Sequence, residues 1–84
     1  MLELYQFEEC PFSTKVGAKM SEWEMDYILR NVSKDKSQRH RLKKVSRQSG
    51  VPTLVDSLRN VVIAGNEEKI IAYLRNRYRP HAKH

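Results

Sequence analysis

The sequence predicts an α/β domain in the order β-α-β-α-β-β-α, a four-stranded mixed sheet flanked by helices. Three observations lead there. Leu2 to Phe7 is a short run with apolar or aromatic residues on both faces, as in a strand buried on both sides. Two later segments carry apolar residues at helical spacing. Two short β-branched runs near residues 53–64 bracket a polar turn, which makes a hairpin.

Each element has its own justification. After the first strand, Glu8 to Cys10 forms a loop, and Pro11 opens a helix that runs to about Trp23. Proline suits the first helical position, where its missing N–H costs nothing. Phe12, Val16, Met20 and Trp23 recur at spacings of four, four and three and form one face. Asp26 to Val32, with Tyr27, Ile28 and Leu29, is the second strand. It should pair parallel to the first through a right-handed crossover. Ser33 to Asp35 is a polar loop. Lys36 to Gln48 reads as a weakly apolar helix anchored by Leu42 and Val45, with Gly50 as its C-terminal stop. Thr53–Val55 and Val61–Ala64 are the hairpin strands, with Asp56 to Asn60 as the turn. Gly65-Asn66 breaks the pattern. Glu67 to Tyr78 is the last helix, with Ile70, Ile71, Leu74 and Tyr78 on one side. Acidic residues open it, and Arg75, Arg77 and Arg79 close it, as its dipole prefers. Pro80 ends it.

Size and composition narrow the function. Eighty-four residues make one domain, 1–84, with a small core. No stretch approaches the ~20 apolar residues that span a membrane. The N-terminus lacks the basic and apolar regions of a signal peptide. The single cysteine, Cys10, excludes an internal disulfide and a multi-cysteine metal cage. A lone thiol without a secretion signal fits the cytoplasm. The net charge of +6 draws anions without naming them; nucleic acid and a small carboxylate-bearing peptide are both candidates.

Cys10 carries the chemistry. A thiol at a helix N-terminus meets free N–H groups and the positive dipole end, which favour the thiolate. The bland alternative is a small buried hydrophobe. The preceding Glu8 and Glu9 oppose the thiolate if they turn toward it, and are screened if they face solvent. The run from Lys34 to Lys44 could lie on phosphates. It has no interleaved aromatics and no nucleic-acid motif, so a solvated helix face is expected instead. Met20 and Trp23 are expected in the core, and His81 and His84 in a disordered end rather than on a metal.

Cys10-Pro11-Phe12-Ser13 at a strand-to-helix junction resembles the glutaredoxin active site, and the element order resembles that family's thioredoxin-like fold. Val51-Pro52 before the third strand, Gly65-Asn66-Glu67 before the last helix, and Ile70 to Leu74 with Tyr73 agree. The last of these is also similar to glutathione-transferase N-terminal domains. The resemblance implies a glutathione-dependent thiol–disulfide oxidoreductase with glutathione as co-substrate and no metal. Cys10 would attack, and Phe12 would wall the groove. Val51 would pair through its backbone with the cysteinyl part, after a cis Pro52. Asn66 and Glu67 would meet the γ-glutamyl end. Arg41, Arg47 or Gln48 would meet the glycyl carboxylate. Ser13, which could hydrogen-bond the thiolate, replaces the second cysteine of dithiol members and implies monothiol chemistry. Pro11 departs from the C-G-F-S pattern of iron–sulfur carriers. The implied partners are glutathione and glutathionylated proteins or small thiols, with no membrane or nucleic acid, and a monomer is expected. The alternatives are a non-catalytic binding module that recruits an acidic partner through its basic second helix, and a glutathione-bridged iron–sulfur carrier. A complete glutathione transferase is not expected, since no C-terminal helical domain follows.

Overall fold

The computed structural model describes residues 1–78. Arg79, Pro80, His81 and His84, read above as the end of the last helix and the tail, lie outside the described residues. The elements are β1 (Leu2–Gln6), α1 (Pro11–Glu22), β2 (Ile28–Asn31), a 3-10 turn (Lys36–Gln38), α2 (His40–Ser46), β3 (Thr53–Asp56), β4 (Val61–Ala64) and α3 (Glu67–Tyr78). The sheet order is β2-β1-β3-β4. β1 pairs parallel with β2 and antiparallel with β3, and β3 pairs antiparallel with β4. β1 is therefore an interior strand, which is why its side chains are apolar on both faces.

Side-chain alternation along β1 and β3 separates two layers. Leu2, Leu4 and Leu54 point to one face, where Val16, Met20 and Trp23 of α1 and Ile70, Ile71 and Leu74 of α3 complete the core. Each such side chain contributes about 1.5–3 kcal/mol when fully buried. Tyr5 and Thr53 point to the other face, which α2 covers: Arg41 lies over the Tyr5 ring and Gln48 bonds to Thr53 Oγ1. Among the described residues, no helix is long and apolar enough to cross a membrane.

Several sequence expectations need correction. The buried face of α1 is Ser13, Val16, Met20 and Trp23; Phe12 is 53% exposed, because it falls a turn-edge away from that stripe. The second strand is only Ile28–Asn31, since β1 offers pairing partners from Glu3 to Gln6 and no further. The expected Lys36–Gln48 helix breaks into a 3-10 turn and a seven-residue α2. Leu42 is its buried anchor, whereas Val45 is exposed. Arg47, in the left-handed region at φ 62°, ends α2. Gly50 has another role. A Cβ there would sit 2.7 Å from Gln48 Oε1 and 3.4 Å from the Gly65 Cα, so glycine permits the close approach of two loops. Asp56 extends β3, paired with Leu2 and Val61.

Candidate functional site

Register places the site residues at one end of the sheet. Tyr5 on β1 faces Thr53 on β3, and Thr53 faces Ala64 on β4. The exit from β1 toward Cys10, the Val51-Pro52 step into β3 and the Gly65-Asn66 step into α3 therefore share that end. The Gly65 N–H donates to the Pro52 carbonyl at 2.8 Å, which ties the last two together. The Val51–Pro52 peptide is cis, as expected from the sequence.

Cys10 is the N-cap of α1, with extended backbone (φ −78°, ψ 115°) and Pro11 directly after it. Its N–H donates to the Phe7 carbonyl at 3.1 Å, and its carbonyl accepts from the Thr14 N–H at 3.0 Å and from Thr14 Oγ1 at 3.1 Å. The loop is thus held on both sides of the sulfur. No side chain caps the helix, so its first N–H groups stay available at the thiol. Cys10 is 6% exposed and the neighbouring Ser13 1% exposed. Ser13 Oγ is buried without a hydrogen-bond partner, so it makes no bond to the Cys10 sulfur.

Glu8 and Glu9 face solvent. The Glu9 carboxylate lies 2.8 Å from Lys34 Nζ. That hydrogen bond and charge hold the Glu9 carboxyl below its usual range and raise Lys34 above its own. One of the two acidic neighbours is thereby neutralised by a loop cation.

The other candidates fall into distinct roles. Asn66 Oδ1 accepts the Lys69 N–H at 3.0 Å and caps α3, while the Glu67 and Glu68 N–H groups keep the orphan character of a helix start. Gln48 is engaged internally: its amide meets Ser46 Oγ, Thr53 Oγ1 and the Gly50 N–H at 2.8, 3.1 and 2.5 Å. Arg41 donates to the Asn31 carbonyl at 3.1 Å. Arg47 is exposed, and among the described residues it has no carboxylate within 4.0 Å.

Arg39 was missed by sequence reasoning. It is 4% exposed and its guanidinium donates to the carbonyls of Ser33, Ser49 and Lys34 at 2.7, 2.6 and 3.2 Å. It also lies 5.1 Å over the Phe7 ring. One side chain so joins the loop after β1, the loop after β2 and the loop that leads to Pro52. Within a basic run, nothing in its spacing marks it off from its solvated neighbours.

An open cleft of about 330 Å³ lies at the opposite end and is lined by Leu2, Trp23, Met25, Leu58 and Tyr78 among others. It contains none of the candidates.

Comparison with protein-family models matches residues 2–57 to Glutaredoxin. The chain belongs to the glutaredoxin family. A glutaredoxin-like relative of 8.6 kDa, an uncharacterised protein of the rubredoxin operon of Clostridium pasteurianum, is 28% identical over 71 residues, covering 83% of this chain and 92% of the relative. Solved glutathione transferases share the fold. A diazinon-metabolising enzyme from Bombyx mori superposes with a TM-score of 0.81 at 22% identity, over 99% of this chain and 41% of its own. A transferase homologue from Drosophila mojavensis, solved with bound glutathione, gives 0.80 at 25% identity, over 92% and 35%. The Drosophila melanogaster isozyme E7 gives 0.78 at 28% identity, over 93% and 35%. This glutaredoxin-family chain thus spans between about a third and two-fifths of these transferases, and its mixed sheet with three helices has the thioredoxin-like architecture of their N-terminal portions.

Proposed function

We propose that the protein is a monothiol, glutathione-dependent thiol–disulfide oxidoreductase working through Cys10 in the cytoplasm. The observation that carries this reading is Cys10 at the N-cap of α1, at the sheet end shared with the cis Val51–Pro52 peptide. Family membership and the glutathione bound to a structural neighbour support glutathione as the co-substrate.

In the proposed reaction the Cys10 thiolate attacks the glutathione sulfur of a mixed disulfide. A new sulfur–sulfur bond forms at Cys10, and the substrate leaves as a thiolate that takes a proton from water. A second glutathione thiolate then attacks the glutathione sulfur held on Cys10. Glutathione disulfide departs, and Cys10 is a thiolate again. One reduced glutathione is consumed per turnover; the other half of the departing disulfide comes from the substrate's mixed disulfide. The route needs no second cysteine, and the chain has none. The open N–H groups of α1 favour the thiolate both as nucleophile and as leaving group. Phe12 forms the exposed wall, Val51 offers its backbone, and the start of α3 at Asn66 and Glu67 offers N–H groups to a carboxylate. With Gln48 engaged internally and Arg41 held by Asn31, Arg47 is our choice for the second carboxylate.

The low exposure of Cys10 favours one rival, a non-catalytic binding module. Turnover of a glutathione mixed disulfide separates them. The wild type should reduce it in a glutathione-dependent manner, and Cys10→Ser should be inactive. Equal inactivity of both, with Cys10 resistant to iodoacetamide in the folded protein, would establish the module instead.

A further inference from the structure

We propose that the basic face built by the Lys36–Gln38 turn and α2 docks an acidic segment of the protein whose mixed disulfide Cys10 reduces. This rests on the oxidoreductase reading and names its substrate class: glutathionylated proteins with carboxylates flanking the modified cysteine.

The charge distribution carries the inference. Residues 34–48 contain seven Lys and Arg against one Asp, a net +6 that equals the net charge of the whole chain. Lys36, Arg41, Lys43, Lys44 and Arg47 are exposed. The one acid of the stretch, Asp35, is occupied by the Ser37 N–H and hydroxyl at 3.0 and 2.8 Å. Among the described residues, no carboxylate lies within 4.0 Å of Lys36, Lys43, Lys44 or Arg47. With Asp35 occupied, this run of cations is left uncompensated.

Its position ties it to the thiol. Lys34 bonds Glu9, the residue before Cys10. From there α2 crosses the sheet, anchored to β2 by Arg41 on Asn31 and followed by Gln48 on Thr53 at the start of β3. A partner whose cysteine reached Cys10 would bring its flanking residues over this face. Nucleic acid fits less well. The nearby rings of Tyr5 and Phe7 lie under Arg41 and Arg39 and offer no stacking platform. α2 has seven residues, a rod of about 10 Å, too short to follow a phosphate backbone. An array of exposed cations raises the encounter rate of acidic partners, and salt screens it.

The test uses the full chain as Cys10→Ser and three labelled, glutathionylated peptides of equal length, with the cysteine flanked by Asp, Ser or Lys. At ~0.01 M salt, where charges act over about 30 Å, the Asp peptide should bind at least tenfold more tightly than the Ser peptide, and the Lys peptide most weakly. Near 1 M salt the three should converge. Replacing Lys36, Lys43 and Lys44 together by Glu should reverse the order, and by Gln should abolish it, with circular dichroism confirming that both variants fold. In the Cys10-containing protein, the Gln variant should lose the preference in kcat/KM yet keep wild-type turnover of the mixed disulfide of glutathione with a small uncharged thiol. Equal binding of the three peptides, a preference that survives in both triple variants, or tighter binding of a single-stranded oligonucleotide of matched charge would overturn the docking surface. Persistent peptide preference with no Cys10-dependent turnover would instead overturn the oxidoreductase reading and leave the surface standing.

Discussion

Arg39 shows how one residue can organise a site it does not enter. A guanidinium never loses its charge and presents five N–H donors in a rigid fork. Here three loop carbonyls receive them and an aromatic face lies below. Hydrogen bonds to a charged group contribute about 1.5–3 kcal/mol each, and removal leaves the partners unsatisfied. Arg39→Ala should therefore lower the unfolding free energy by about 3 kcal/mol, read from urea denaturation. Arg39→Lys, a point charge on a flexible stem, should recover less than half of that. Both should lower kcat/KM for a glutathione mixed disulfide, because the loop that ends at Pro52 loses its tie to the loop after β1. Cys10, Pro11 and Pro52 were legible because their meaning is local: a helix start, and a proline before a strand. Arg39 was not, because its partners are backbone carbonyls that no side-chain pattern reveals.

Helix ends give the next scale. α1 is followed by Glu24 at φ 56°, and α2 by Arg47 at φ 62°. The left-handed conformation costs an L-residue roughly 1–2 kcal/mol, which glycine avoids. Glu24 lies on the rim of the cleft far from Cys10, so Glu24→Gly should raise the unfolding free energy by about 1 kcal/mol without changing turnover. Arg47→Gly should gain a similar amount but raise KM for glutathione, because it removes the cation assigned to the carboxylate. Unchanged KM would return that role to Arg41. The strands and the long helices were readable because apolar residues recur with their periods. The break of the second helix was not. The basic run from Lys36 to Gln48 has too few apolar residues to show a period, and a left-handed arginine has no compositional signature. The glycine that sequence reasoning took for the stop serves loop packing instead.

Across the whole molecule, the two ends of the sheet do different work. The Cys10 end keeps open N–H groups and a basic flank. At the other end, beside the open cleft, a buried carboxylate ties α3 to the hairpin. Asp56, 1% exposed, accepts from Tyr73 at 2.7 Å, from the Tyr78 hydroxyl, and from the Arg59 N–H at 3.4 Å. The Arg59 guanidinium in turn donates to the Tyr78 oxygen at 3.0 Å. Burial pushes the Asp56 carboxyl up, but the hydrogen bonds of Tyr78, Tyr73 and Arg59 outweigh it and leave it below its ordinary value. Burial and the Asp56 carboxylate push the Tyr73 phenol up to about 12. The signs follow from linkage. A carboxyl depressed in the folded state stabilises above its unfolded value of 3.8 and loses that contribution as pH falls through the folded one. A raised phenol stabilises below its unfolded value of 10.0 and loses that contribution as pH rises toward 12. Asp56→Asn should cost about 2 kcal/mol at pH 7. Its deficit against wild type should narrow below about pH 4 and again as pH rises from 10 toward 12, where the phenols ionise in the unfolded chain while the folded wild type still holds them protonated. Since this cluster anchors the end of α3 to the hairpin, away from the thiol, the variant should keep wild-type kcat/KM at neutral pH while it remains folded. A deficit that is flat across pH would show that the carboxylate serves packing rather than charge. A loss of turnover at full folding would show that the two ends of the sheet are coupled through α3.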